Sequence, residues 1–327
     1  MPDPSGKILV IRGGAIGDFI LTLPALAALR QQFPQTRLEL LGYPHIARLA
    51  LAAGLADDVR SIEARPLAGF FAHKGNLAAP LQEYFAGFAI ILSYLYDPDG
   101  VFQENVARCA QAQFIAGPHR PDDQATLHAT EVFLKPLERL AIFSADPAPR
   151  LTFDPRRSTL DLRPSTFDAV LALHPGSGSE KKNWPEPKWA ELLQRLVATT
   201  RHKLLLVGGE AEGDRLQRLA QTLPPARVEL GRNLPLVELA ARLQSCHAFI
   251  GHDSGISHLA AAVGLPGLAL WGETNESVWR PRGDRFAVVR EAKGLSHLSV
   301  ERVIEELARV INDPAPQSPQ SPASAGP

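Results

Sequence analysis

The sequence predicts an α/β protein built from two doubly wound units that face each other, and three observations carry this reading. Short apolar, β-branched runs alternate with longer stretches of helical period, as parallel sheets covered by helices require. Each half opens on a strand followed at once by a glycine-bearing loop. Lys7–Arg12 leads into Gly13-Gly14-Ala15-Ile16-Gly17-Asp18, and residues 169–173 lead into His174-Pro175-Gly176-Ser177-Gly178. A third turn of this kind, Gly251-His252-Asp253-Ser254-Gly255-Ile256-Ser257-His258, joins an apolar run to a helix of small residues.

In the first half the pattern places strands at Lys7–Arg12, Arg37–Tyr43, Val59–Glu63 and Phe88–Leu95. Helices are expected over Phe19–Gln32, His45–Ala53, Leu77–Phe85, Val101–Ala112 and Ala125–Leu140. Pro24 falls inside the first of these, so that helix is expected to kink or restart there. Prolines 147, 149, 155 and 164 among charged residues mark a linker between Ser144 and Ser165. The second half repeats the alternation, with strands near 169–173, 203–207, 226–230, 247–251, 267–271 and 286–290. Its helices fall near 187–199, 210–222, 235–244, 255–263 and 298–312. The expected division is a first domain over 1–150, a linker over 151–168, a second domain over 169–312, and a disordered Pro/Ser-rich tail over 313–327.

Bulk properties narrow the function. A chain of 327 residues with 45% hydrophobic and 21% charged residues suits two domains with proper cores. A net charge of −1 offers no electrostatic case for nucleic acid. Two cysteines, Cys109 and Cys246, cannot make a disulfide framework or a cysteine-based zinc site. The ten histidines show no helical H-x-x-x-H pairing, so no metal is expected. The opening residues lack the basic and apolar regions of a secretory signal, and the longest apolar run is too short to span a bilayer.

The three turns hold the chemistry. At Gly251–His258 a carboxylate, a hydroxyl, two glycines and an imidazole stand where a helix begins. Helix N-termini favour anions, and glycine lets a phosphate approach closely, so this is a pocket for a phosphorylated or nucleotide-linked ligand. Asp18 has two readings: a helix cap, or a general base kept ionised by the helix and given room by Gly13, Gly14 and Gly17. The loop is not a dinucleotide fingerprint, because G-x-G-x-x-G and an acidic residue after the second strand are both missing. The Gly176–Lys182 loop lacks a Walker A motif, yet its amides, Ser177 and Lys181 or Lys182 could cradle a diphosphate. Glu210, after a buried strand, is either an ordinary helix-start residue or a partner for ribose hydroxyls. Asp97-Pro98-Asp99 reads as a turn rather than a metal-binding Asp-x-Asp. Trp184, Trp189, Trp271 and Trp279 read as core or pocket-wall residues.

Together these segments resemble glycosyltransferase family 9, the ADP-heptose:lipopolysaccharide heptosyltransferases. The resemblance rests on Ile8–Arg12 with Gly17-Asp18 and Leu23-Pro24-Ala25-Leu26, on His174-Pro175-Gly176 through Lys182-Asn183-Trp184-Pro185, and on Gly251–His258 with Gly264-Leu265-Pro266. It runs from about Lys7 to about Asn312. It implies a GT-B fold, two Rossmann-like domains across a cleft, with the donor mainly on the second and the acceptor on the first. It implies that Asp18 is the base, and that Lys182 with the backbone around Ser177 and Gly178 binds the diphosphate. By the same resemblance Glu210 meets the ribose, while Asp253, Ser254, Gly255 and His258 hold the donor sugar and phosphate. Two departures touch the donor pocket. Gly272-Glu273-Thr274-Asn275 stands where relatives commonly have Gly-Pro-Thr, and Gly176-Ser177-Gly178 replaces adjacent threonines.

The implied reaction is an inverting, metal-free transfer of heptose or a related sugar from an ADP-sugar to a lipopolysaccharide core or similar glycan. No cofactor beyond the nucleotide-sugar substrate is expected. The expected partners are that donor and a glycolipid or oligosaccharide acceptor, with no nucleic acid. The chain is expected to act as a monomer in the cytoplasm, or peripherally at the inner face of the cytoplasmic membrane. The competing readings are a 2-epimerase or different-donor enzyme of the same fold, a nucleotide-sugar-binding protein without chemistry, and a transferase of the same family acting on a different sugar or a protein acceptor.

Overall fold

The computed structural model describes residues 6–153 and 169–312. The tail at 313–327 and residues 154–168 of the expected linker lie outside the described residues.

The first half forms β1 (Lys7–Arg12), α1 (Ile16–Gln32), β2 (Leu38–Gly42), α2 (Pro44–Ala52), β3 (Asp58–Ser61), α3 (Ala79–Ala86), β4 (Phe88–Ser93), α4 (Val101–Ala107), β5 (Gln113–Ala116) and α5 (Ala129–Leu134). The second half forms β6 (Val170–Leu173), α6 (Glu186–Thr199), β7 (Lys203–Gly208), α7 (Arg215–Gln221), β8 (Val228–Arg232), α8 (Leu236–Gln244), β9 (Ala248–His252), α9 (Gly255–Ala262), β10 (Gly267–Trp271), α10 (Glu276–Trp279), β11 (Phe286–Arg290) and α11 (Val300–Asn312). Every strand pair is parallel. The sheet orders are β3-β2-β1-β4-β5 and β11-β10-β9-β6-β7-β8. The fold is therefore the predicted pair of doubly wound α/β units.

Continuous apolar runs become central strands because both faces are covered: Ile8 to Ile11 and Leu204 to Val207 are all buried. α1 is apolar almost all round, with ten of its residues from Phe19 to Leu29 buried. It runs through Pro24 as one helix, so of the expected kink or restart the restart does not occur. The ring removes one N–H, but burial on nearly every side keeps the helical path.

Other differences are local. β5 was not expected, and the helix drawn to Ala112 ends before it, at Ala107. The helix drawn over Ala125–Leu140 begins at Ala129, and Pro136 turns its second half into a 3₁₀ segment over Lys135–Leu140. The helix drawn over 210–222 divides into a 3₁₀ turn at Glu210–Glu212 and α7.

One apolar cluster joins the halves. Phe19, Leu23 and Leu26 of α1 belong to the same buried group as Leu259, Ala260 and Ala261 of α9, with Leu239 and Leu243 of α8. Separate clusters fill the outer face of each sheet. α1 and α9 meet at their N-terminal ends, where there is no room for a side chain at position 255. A Cβ on Gly255 would lie 2.8 Å from Ile16 Cβ and 2.9 Å from the Gly17 nitrogen. Gly255→Ala is therefore expected to force the helices apart and cost about 1–3 kcal/mol, the usual range for overpacking. Urea unfolding checks this, and a midpoint equal to wild type would show that the contact gives freely.

Candidate active site

The C-terminal ends of both sheets open onto the α1–α9 contact, so loops after β1, β6 and β9 share one cleft. Gly14 turns the chain after β1 with φ of +96°, in the left-handed region that favours glycine. The turn brings Asp18 back over the loop, and its Oδ2 accepts from the Ala15 N–H at 3.1 Å. Asp18 thus does cap α1, from within the first turn. Its other oxygen faces Nη2 of Arg12 at 3.8 Å.

Arg12, the last residue of β1, was read only as part of a strand. It is buried, and its guanidinium donates to the carbonyls of His119 at 2.8 Å and Asp18 at 3.1 Å. It also lies 4.5 Å from the Phe133 ring centroid. Burial pulls its pKa below the ordinary value while Asp18 opposes that shift. The guanidinium stays charged.

Across the contact, Asp253 closes β9 and Ser254 caps α9, its hydroxyl accepting from the Ser257 N–H at 3.3 Å. Asp253 is buried and pairs with Lys182 Nζ at 2.6 Å. His258 is buried one helical turn on. A Cβ on Gly17 would lie 3.4 Å from its ring. The sequence-predicted residues Gly13, Gly14, Gly17, Asp18, Lys182, Asp253, Ser254, Gly255 and His258 thus gather around the two helix starts.

A cavity of about 600 Å³ extends from there into the second half. Its walls include Gly17 and Gly255 at one end, Ser177 and Gly178 along the β6 loop, and Glu210 on the far side. Leu234, Leu236 and Leu239 make part of the wall apolar. Glu210 is exposed, whereas Glu212, which sequence reading did not single out, is buried. Glu212 accepts from the Gly209 N–H at 2.6 Å and leaves no space for a side chain on Gly176. Sequence alone could not rank the two carboxylates of Gly-Gly-Glu-Ala-Glu; the tight packing of Gly176 against one of them does.

The β6 loop is held by His252, also missed as a site residue. Its Nε2 accepts from the Trp184 N–H at 2.9 Å, so Nδ1 carries the proton and donates to the Gly176 carbonyl at 3.2 Å. One neutral imidazole thereby clamps both ends of the loop. Burial pushes its pKa down to about 3. Burial likewise lowers His258 to about 4, against the pull of Asp253. His128 falls to about 4 for the same reason. Its Nε2–H donates to the Arg280 carbonyl at 2.9 Å and so joins the two halves.

Further links span the cleft. Asn275 donates to the carbonyls of Asp123 at 2.9 Å and Ala125 at 3.0 Å, and the Trp279 indole donates to Asp123 at 2.7 Å. Asp97 Oδ1 and Oδ2 accept from the amides of Phe102 and Gln103, so Asp97-Pro98-Asp99 is a turn leading into α4. Among the described residues no group of three or more His, Cys, Asp or Glu could hold a metal ion. No helix among them is long and apolar enough to cross a membrane.

Backbone amides at two converging helix starts, one lysine and a large, mostly apolar cavity suit a phosphorylated organic ligand, with a carboxylate ready on the facing unit. The fold and site therefore define a two-unit α/β protein with a cleft suited to a phosphorylated ligand. The family profile described as glycosyltransferase family 9 (heptosyltransferase) matches residues 126–307, and this chain belongs to that family. It is 42% identical over 106 residues to lipopolysaccharide heptosyltransferase 1 of Pseudomonas aeruginosa, an alignment covering 32% of this chain and 29% of that protein. It is 24% identical over 340 residues to lipopolysaccharide heptosyltransferase 3 of Escherichia coli, covering 92% of this chain and 97% of that protein. Among solved structures, E. coli ADP-heptose lipopolysaccharide heptosyltransferase II superposes with a TM-score of 0.75 at 18% identity, over 93% of this chain and 98% of that one. E. coli heptosyltransferase WaaC with ADP gives 0.69 at 19% identity, over 93% and 99%. The chain is a glycosyltransferase with the GT-B fold.

The buried histidines set an acid limit. Each has a folded pKa below its unfolded value near 6.5, so the unfolded chain binds protons that the folded chain refuses. Stability is full above that unfolded value and falls as pH drops towards 4, the folded value of His128 and His258. At one pH unit below 6.5 the loss is about 1 kcal/mol per buried histidine. Thermal unfolding between pH 7.5 and 5.5 checks this, and a flat profile would contradict it.

Proposed function

We propose that this enzyme transfers a heptose from an ADP-sugar to a saccharide of a lipopolysaccharide core, by inverting displacement without a metal. Residues 169–312 take the donor and residues 1–150 the acceptor. The observation that carries this reading is the convergence of Asp18 on one side and the Lys182–Asp253 pair on the other at the α1–α9 contact. The relatives' names support the sugar and acceptor class. E. coli WaaC was solved with ADP and with ADP-2-deoxy-2-fluoro heptose, which supports the donor.

In this reading the nucleoside lies in the 600 Å³ cavity, with the base on the leucine wall and Glu210 at the ribose. The diphosphate meets Lys182 and the amides of Gly176, Ser177 and Gly178. Asp253, Ser254, Gly255 and His258 surround the donor sugar. Asp18 takes the proton of an acceptor hydroxyl as its oxygen attacks the anomeric carbon, and the bond to the departing diphosphate breaks on the opposite face. Charge gathering on the leaving group is stabilised by Lys182 and by the N-terminus of α9. The acceptor loops contribute Gly13, Gly14 and Gly17 as clearance. We place the reaction in the cytoplasm, where nucleotide sugars are available, with one chain sufficient for a complete site.

Two substitutions and one additive test this with calorimetry and a transfer assay. Asp18→Asn is expected to cut turnover about 10²–10⁴-fold while ADP binds as before. Lys182→Ala should weaken ADP by roughly 10- to 100-fold, the worth of a charge-assisted hydrogen bond. EDTA should leave both readings unchanged. Retained turnover in Asp18→Asn removes it as base, unchanged ADP affinity in Lys182→Ala removes the lysine, and loss with EDTA brings back a metal.

A further inference from the structure

Open parallel α/β sheets take ligands outside the carboxyl ends of the two strands between which the chain order reverses. In the second sheet those strands are β6 and β9, whose loops carry Lys182 and Asp253. In the first sheet they are β1 and β4. The loop after β1 leads to Asp18. The loop after β4 carries Leu95 and Tyr96, and Leu95 packs beside Gly13.

Next to that point, between the ends of β4 and β5 and the start of α4, lies a cavity of about 230 Å³. Against the 600 Å³ of the other cavity it suits one sugar ring rather than a nucleotide. Tyr96 is 71% exposed, and its ring stands edge-on to His119 at 4.6 Å. Both walls are held from behind. Asp97 is bound to the amides that start α4, and Arg12 donates to the His119 carbonyl at 2.8 Å. The same guanidinium donates to the Asp18 carbonyl, so the backbones of His119 and Asp18 are tied to one buried cation.

We propose that Tyr96 and His119 form an acceptor subsite that takes one pyranose ring of the saccharide acceptor. The apolar C–H face of the ring lies on the Tyr96 ring. Its polar edge meets the His119 imidazole, and the reactive hydroxyl points along the loop towards Asp18. The amphipathic faces of Tyr and His match a sugar, which has one apolar face and a polar rim. This subsite rests on the reading of Asp18 as the base for a lipopolysaccharide saccharide.

The probe is a deacylated core oligosaccharide prepared from heptose-deficient lipopolysaccharide. Calorimetry gives its affinity and that of ADP, and the transfer assay gives its KM. Tyr96→Ala is expected to weaken the oligosaccharide and raise its KM about tenfold, the scale of one aromatic contact, with ADP affinity unchanged. Tyr96→Phe should recover most of that loss, because the ring face rather than the hydroxyl makes the contact. His119→Ala, which keeps the carbonyl that Arg12 uses, should also act on the oligosaccharide alone. If Tyr96→Ala binds and uses the oligosaccharide as wild type does, the subsite is wrong and the function stands. If ADP affinity falls in parallel, Tyr96 acts through the fold and the subsite is again wrong. If wild type binds ADP but ignores the oligosaccharide, the lipopolysaccharide reading fails and the subsite falls with it.

Discussion

The approach of α1 to α9 is the constraint on which the remaining structure depends. Gly17 and Gly255 let two helices from different sheets meet at their N-termini, and the apolar residues behind them form one cluster across both halves. Two helix starts at one point place two partial positive charges together. Asp18 and Asp253 stand beside them, and each is matched by a cation, Arg12 and Lys182. The two pairs differ in kind. Arg12 is buried with its carbonyl partners around it, whereas the side chain of Lys182 is 40% exposed and can turn to another anion. The first pair can act as fixed structure and the second as an exchangeable one.

The polar groups buried behind the cleft follow the same logic. An unpaired buried donor or acceptor costs about 1–3 kcal/mol, so a loop pinned through a buried imidazole must have every bond made. His252 meets that condition only in one tautomer and only when neutral. Protonation would turn the acceptor of the Trp184 N–H into a donor. Burial makes that state costly, and the clamp and the depressed pKa have one cause.

Much of this was legible in the sequence because period and glycine punctuation are local signals. Lys7–Arg12 and the strands from 203 and 267 were placed to within a residue by unbroken apolar runs. β5 was hidden because Gln113-Phe114-Ile115-Ala116 is short, and its apolar run of three residues is too brief to read as a strand. The motif residues of the cleft were found through their turns. Arg12, Glu212 and His252 were not, since each acts through a partner distant in sequence: His119, Gly176 and Trp184. Nothing in a local pattern distinguishes a strand-end arginine in solvent from one buried on Phe133.

The links across the cleft also suggest how it could open. Separating α1 from α9 would expose a shared apolar cluster, at about 25 cal/mol for each Å² uncovered. The outer links are of another order. The Trp279 indole donates to the exposed Asp123 carboxylate at 2.7 Å, a surface contact that water can replace. The Asn275 bonds to the carbonyls of Asp123 and Ala125 can be replaced by water at modest cost. An opening that keeps the α1–α9 contact parts the 123–125 segment from 272–279 at little cost, and the buried His128 bond to the Arg280 carbonyl limits how far it goes. Such an opening keeps Asp18 beside the α9 start throughout. The segment Gly272–Asn275 lies in the part that would be released.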